Sequence, residues 1–345
     1  MPAVTIATIG ARDVAKEFGK KGTGSDVTLY NLVTEGHAIT CVEPTNFPEK
    51  LPPLLIALGM ADRCLLVIDQ LSRPIAETIA VADLYDVPTT IVLGPSVGAE
   101  EVARLLKGTR LETAPEQPLD YPALRQLVDA WLPRPGDGPV TVPIDHAFPV
   151  KGVGAVALGV VRAGTLHAHD KLRLWPTPKI VEIRSIQVHD VEVTHASNGD
   201  RVGVALKGVD PDELARGQIL APEGALHASA SLNGSALFPC RYHRSAWGEG
   251  AQMHLAIGLQ VVPVSVGPRD AQSVRFTADR PVVFRPGQPG YVLDLSTTTG
   301  PRIAALRARP LDDHRSADRG PGRAPGRTAL EPAPAESEIR SSVRP

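Results

Sequence analysis

Cysteine is scarce in this 345-residue chain, which has only Cys41, Cys64 and Cys240. Three scattered thiols exclude a disulfide framework and a zinc cluster, and they read as reduced, packed side chains. No run approaches the ~20 apolar residues that a membrane-spanning helix needs. The opening Met1-Pro2-Ala3-Val4 lacks the charged segment followed by an apolar one that marks a secretory signal. The expectation is a cytoplasmic protein with no membrane partner. A strong net charge is also missing, since 36 Lys and Arg stand against 38 Asp and Glu. The ten histidines lack the neighbours that a metal or catalytic site requires; His167 and His169 lie two apart on a predicted strand, with no third ligand near in sequence. Neither a catalytic residue nor a metal ligand is expected.

What the chain does have is uneven organisation. Its length suits two or three domains. Residues 1–137 carry 12 Lys and Arg against 18 Asp and Glu, residues 138–309 carry 18 against 14, and residues 310–345 carry six of each. An acidic first part followed by a mildly basic one fits an RNA partner on the second. From Asp312 to Pro345 the chain is rich in Pro, Arg, Ala and Ser with few bulky apolar residues. Such a segment cannot bury enough surface to offset chain entropy, so 310–345 is expected to be a disordered tail.

Within 1–137, short apolar runs at Val4–Ile9, Ile39–Val42, Cys64–Ile68 and Thr89–Leu93 have strand length. Helical spacing appears at Glu49–Met60, Pro74–Leu84 and Glu100–Leu106, with Ser72 and Ser96 as start signals for the last two. Alternation of this kind gives a parallel sheet covered by helices, with ligands expected at the carboxyl ends of strands, where Gly10, Glu43 and Gly94 fall. From 138 to 226 the pattern changes to Val- and Ile-rich runs punctuated by Gly or Asp, which reads as a closed β-barrel. Residues 227–309 are again β-rich, with strands expected at Gln252–Val264, Ser273–Thr277, Arg280–Phe284 and Tyr291–Asp294.

The barrel region carries a family resemblance. Ile144-Asp145-His146-Ala147-Phe148-Pro149-Val150-Lys151-Gly152-Val153-Gly154, then Gly159, Gly164, Asp170, Arg184-Ser185-Ile186-Gln187, Gly199-Asp200-Arg201-Val202-Gly203 and Arg216-Gly217-Gln218-Ile219-Leu220 resemble the second domain of translational GTPases. That family includes elongation factor Tu, and the form here is most similar to the selenocysteine-specific elongation factors. The resemblance implies a multi-domain α/β plus β protein: a GTPase-like parallel-sheet domain (1–137), an elongation-factor-type β-barrel (138–226), a second barrel (227–309) and the tail.

Against that family the nucleotide motifs are altered. Gly10-Ala11-Arg12-Asp13-Val14-Ala15-Lys16-Glu17 keeps Gly10 and Lys16 in phosphate-loop register, but Ala15 replaces the second glycine and Glu17 the Ser or Thr that would hold Mg²⁺. Glu43-Pro44-Thr45-Asn46 stands at the Asp-x-x-Gly position, and Gly94-Pro95-Ser96-Val97 at the Asn-Lys-x-Asp position that grips guanine. Gly10, Asp13, Lys16, Glu43 and Asn46 thus mark a degenerate nucleotide site. No cofactor is expected, with GTP and Mg²⁺ returning only if that site still functions. The glycine-rich basic stretch Gly19–Ser25 has two readings, a solvated loop or a phosphate cradle.

The resemblance further implies tRNA or the ribosome as partner, because the family's second domain and its junction with the first hold the aminoacylated 3′ end of tRNA. Glu213 and Arg216 fall where the family contacts the terminal adenosine, although Arg216 also reads as a structural pin for the turn at Gly217. Arg241 and Arg244, interleaved with aromatics near Trp247, suit phosphates and bases; a strand with one solvated face is the plainer reading. The expected function is an elongation-factor-like RNA-binding protein without GTP hydrolysis. An active GTP-dependent, selenocysteine-type factor and a protein-binding scaffold in translation are the alternatives.

Overall fold

The structure, a computed structural model, describes residues 2–34, 36–235, 240, 242–243, 247–269, 273–285, 287–298, 300–305 and 309–313. The first part runs β1 (Ala3–Gly10), β2 (Lys20–Gly24), β3 (Thr28–Val33), β4 (Ala38–Glu43), α1 (Pro52–Met60), β5 (Arg63–Ile68), α2 (Arg73–Leu84), β6 (Thr89–Leu93), α3 (Ala99–Leu106), β7 (Glu116–Pro118) and α4 (Tyr121–Asp129). Its seven strands lie in the order β2-β3-β4-β1-β5-β6-β7. The pairs from β4 to β7 are parallel, while β3 joins antiparallel to β4 and β2 antiparallel to β3. Strands β1, β4 and β5 are almost wholly buried, as apolar runs covered on both faces must be.

Local chemistry sets the helix boundaries. Helix α1 opens at Pro52-Pro53, later than the Glu49 expected from spacing, because proline suits the first helical turn and has no N–H to place deeper. Ser72 caps α2 by accepting the Ile75 N–H, as expected. Ser96 does not cap α3: that helix starts after Gly98, whose N–H donates to Glu101 Oε2. The stretch Gly19–Ser25, read as a loop, contains the edge strand β2. Its lysines and glycines are poor strand formers, but an edge tolerates them, and exposed Lys protects an edge from further pairing.

The middle part comprises β8 (Val142–Val150), β9 (Gly154–Val160), β10 (Thr165–His167), β11 (Lys171–Trp175), β12 (Ile180–Val188), β13 (Val191–Val193), β14 (His195–Ser197), β15 (Arg201–Lys207) and β16 (Ile219–Ala221). Seven strands run β11-β16-β8-β9-β15-β12-β13, and β11 also pairs with β12, which closes the barrel. Ile144, Leu174, Val181, Ile183, Val202 and Leu220 fill it. His167 ends β10, whereas His169 has φ 71° and lies in the following turn, so the two do not share a strand.

The last part has β17 (His227–Ser235), β18 (Gln252–Ile257), β19 (Gln260–Arg269), β20 (Ser273–Phe284), β21 (Tyr291–Leu293), β22 (Ile303–Ala305) and β23 (Arg309–Asp313), in one antiparallel sheet ordered β22-β21-β18-β19-β20-β17-β23. Gln252–Val264 is divided by a turn at Gly258, while the two strands expected between Ser273 and Phe284 are one. Asp279 and Arg280, which resemble a turn, sit exposed within that strand. Residues 310–313, placed in the tail by composition, pair with β17 as an edge strand, a position where proline and charge are tolerated. The rest of the expected tail lies outside the described residues. No described helix is long and apolar enough to cross a membrane.

The last part shares a core with the first. Ala256, Leu259, Tyr291, Leu293 and Ile303 pack with the buried face of α1 and α2, and Tyr85 stacks on Tyr291 with ring centroids 4.0 Å apart. Arg302 pins this contact: its Nε donates to Glu77 Oε1 at 3.0 Å and its Nη2 to Oε2 at 2.6 Å, with further bonds to the Pro48 and Glu49 carbonyls. The two side chains are 18% and 11% exposed, so breaking the pair strands a buried carboxylate. Arg302→Leu is expected to lower unfolding free energy by about 3 kcal/mol, and Glu77→Gln added to it should recover part of the loss. Urea titration of both variants checks this, and an equal loss in the double variant would place the effect elsewhere.

Candidate functional site

Strand β1 ends at Gly10, whose φ is +96° and where a Cβ would stand 2.1 Å from the Val67 carbonyl oxygen, so no larger residue fits. Ala11 N–H donates to that same oxygen. The chain then passes through Asp13 at φ 64° into a single 3-10 turn, Ala15–Glu17. Ala15 and Phe18 are buried with Val14, Ile6, Ile39 and Val67. Lys16 and Glu17 face solvent, and Lys16 Nζ lies 4.0 Å from Asp13 Oδ1.

Glu43, at the end of β4, is 8% exposed and turns its carboxylate to this loop. Burial pushes its pKa above the ordinary value of 4.5. The N–H groups of Asp13 and Ala15 pull in the opposite direction without cancelling the rise, and the Asp13 carboxylate adds repulsion. Its Oε2 has no hydrogen-bond partner. Asn46 sits on the next turn, its N–H donating to Asp26 O at 3.1 Å. Arg12 reaches across to the Phe47 carbonyl and Glu49. The structure therefore gathers Gly10, Asp13 and Glu43, while Lys16 lies on the solvent side and Asn46 beside the β2–β3 turn. Gly94 follows β6, where a Cβ would meet Asp69 Cα at 2.7 Å.

A second cluster joins the first part to the barrel. Ser25 and Asp26, in the turn between β2 and β3, receive Arg216: its Nη1 donates to both Asp26 oxygens at 2.7 and 2.8 Å, its Nη2 to Ser25 Oγ, and its Nε to the Asp145 carbonyl. Burial alone would raise the Asp26 pKa, but Arg216 outweighs it and the net shift is downward. Asp145, 1% exposed on β8, takes Arg201 in a fork at 2.6 and 2.9 Å. Its other neighbour is His146, whose Nδ1 lies 2.6 Å from Asp145 Oδ1 and whose Nε2 lies 3.1 Å from Ser25 Oγ. Burial opposes the Asp145 charge, yet Arg201 and His146 hold its carboxyl below the usual range.

Beside this cluster opens a cleft of about 480 Å³, with Lys20, Lys21 and Asn31 on one wall and Gln187, His189 and Arg201 on the other. Glu213 lies further along the loop before β16, exposed, with Lys179 Nζ at 2.5 and 2.6 Å. The Asp210 N–H and Lys179 hold its carboxyl below the usual range. Arg241 and Arg244 lie outside the described residues. The partners of Arg216, Asp26 and Ser25, belong to none of the nucleotide or barrel motifs. The signal present in the sequence was an acid and a histidine, Asp145 and His146, adjacent on one strand.

A family model for elongation factor Tu domain 2 matches residues 154–221. An uncharacterized protein of Methanocaldococcus jannaschii is 32% identical over 297 residues, covering 85% of this chain and 96% of its own length. The selenocysteine-specific elongation factor of the same organism is 28% identical over 303 residues, and the match spans 81% of this chain but 64% of that protein. Elongation factor 1-alpha of Pyrobaculum calidifontis is 31% identical over 180 residues, about 40% of its length. Among solved structures, the elongation factor SelB of Methanococcus maripaludis, in complex with the GTP analogue GppNHp, superposes with a TM-score of 0.77 at 20% identity, covering 92% of this chain and 81% of that one. Sequence relatives and architecture converge, and the chain belongs to the translational GTPase superfamily as an elongation-factor-like member.

Proposed function

We propose that this protein binds tRNA or the ribosome through its β-barrels and does so without GTP hydrolysis. The carrying observation is the Glu43 carboxylate set against the N–H groups of Asp13 and Ala15. A phosphate loop offers such N–H groups to the nucleotide and continues into a helix whose N-terminus adds partial positive charge. Here a buried carboxylate faces them and one 3-10 turn follows, so a triphosphate meets like charge and fewer donors. Glu17 offers no hydroxyl to Mg²⁺, and Gly94 no side chain to guanine. Neither group is assigned as a cofactor.

RNA binding is supported by the names of the relatives, which are elongation factors, and by the basic side chains of the cleft between β2 and the barrel. Arg216 is committed to Asp26, so its main work is to hold the barrel against the first domain. Glu213 is exposed and is the better probe of the loop.

Titration calorimetry with GTP or GDP should give constants no tighter than high micromolar, unimproved by Mg²⁺; a sub-micromolar, Mg²⁺-dependent constant would restore the active-GTPase reading. The pKa of Glu43 is raised in the fold, so its contribution to stability is full below 4.5 and is lost as pH rises through the folded value. Glu43→Gln should therefore be more stable than wild type at pH 7 (about neutral), with the gap closing under acid; thermal unfolding across pH checks it, and a gap that widens under acid contradicts it. Glu213→Ala should weaken binding of a 3′-CCA acceptor stem several-fold at matched salt, in a variant whose circular dichroism spectrum remains that of the folded protein. Undiminished affinity in that folded variant would favour the protein scaffold.

A further inference from the structure

Where the three parts of the chain meet, they line a half-open cleft of about 490 Å³. Each part contributes an arginine to its wall: Arg134 from the segment between α4 and β8, Arg162 after β9, and Arg285 after β20. Met60, Ile219 and Leu259 make part of the wall apolar. Among the described lining residues Asp145 is the one carboxylate, and it is held by Arg201 and His146.

Of the three guanidinium groups, Arg162 makes an ion pair with a carboxylate, and Arg134 and Arg285 hydrogen-bond neutral oxygens. Arg162 Nη1 donates to Asp62 Oδ1 at 2.7 Å, but its Nη2 is buried without a partner. Arg134 donates to the Ala61 and Asp86 carbonyls, and Arg285 to Thr141 Oγ1. Burial, then the charge of Arg162, works against the charge on Arg134 and outweighs the opposite pull of Asp62 and Asp86, and burial also works against the charge on Arg285. Guanidinium does not give up its proton at working pH, so an anion is what relieves the cluster.

We propose that this cleft binds a small phosphate-bearing molecule, a phosphomonoester or diphosphate with an apolar body, through the guanidinium groups of Arg162 and Arg285 that line it. The guanidinium fork matches phosphate oxygens in pairs. The volume lies in the range of small-molecule sites and exceeds what a bare phosphate fills. Because Arg162 and Arg285 come from different parts of the chain, a bound diphosphate bridges the two β domains. The site is separate from the β1 loop and from Glu213, and it does not rest on the functional reading above.

Inorganic pyrophosphate is the test probe, titrated calorimetrically into the full-length protein at constant ionic strength. Saturable binding with one site is expected, weakened at least about tenfold (about 1.4 kcal/mol) by Arg285→Gln and by Arg162→Gln, and unchanged by Arg104→Ala on the exposed face of α3. Hydrogen exchange on the wild type, with pyrophosphate against matched chloride, covers the case in which a variant does not fold; protection around Arg162 and Arg285 is expected. No saturable binding, binding indifferent to both arginine variants, or protection confined to other segments would overturn the site.

Discussion

The carboxylate of Asp62 holds the base of the molecule together. It is 1% exposed and accepts three hydrogen bonds, from Thr5 N–H at 2.9 Å, Arg134 N–H at 3.2 Å and Arg162 Nη1 at 2.7 Å. A buried carboxylate with fewer partners would be strongly unfavourable. The three donors belong to β1, to the exit segment and to the barrel, so their positions are mutually fixed: moving the barrel away from the first domain would strip the carboxylate of its ion pair with Arg162. Asn198 reinforces the join by donating to the Arg134 carbonyl.

With the base of β1 anchored in this way, what happens at its other end depends on the short path from Gly10 to β3. That path makes one 3-10 turn and the edge strand β2, and its tip carries Ser25 and Asp26 to Arg216. The hairpin consequently serves as an arm reaching the barrel. It also leaves the β1 loop closed from beneath by buried Ala15 and Phe18 and faced by Glu43. Loop chemistry and barrel attachment are two effects of one local sequence.

The sequence made the layers legible where period and burial agree. The parallel strands of the first domain are continuous apolar runs, and the barrel strands alternate about turns, so both could be read without knowledge of partners. Strand β2 was illegible because an edge strand is specified by its neighbour, in this case the pairing of Lys20 with Asn31, and its own composition argues for a loop. For the site, the motif register pointed to Gly10 and Glu43, which end the neighbouring strands β1 and β4, but it could not say that Lys16 would face outward, since that follows from Ala15 turning inward to pack. Arg216 shows the same limit. Its register pointed to a loop contact, whereas its partner Asp26 is 190 residues away and no local pattern announces it.

Charge gives the last link between sequence and assembly. The first domain is acidic and the β domains are basic, and the ion pairs that join them run in one sense: Asp26 with Arg216, Asp62 with Arg162, and Glu77 with Arg302. Removing one charge from each side for every pair changes the balances from −6 to −3 and from +4 to +1, as counted over residues 1–137 and 138–309. Much of the imbalance that pointed to an RNA partner is therefore consumed inside the molecule. A field of about one net charge gives little long-range steering at physiological salt. Recognition of the proposed RNA must then arise from local placement, in which Lys20 and Lys21 of the edge strand and His189 of the barrel face one cleft. The acidic domain supplies the lysines and the basic barrel supplies the opposite wall, so neither half of the chain would present that surface alone.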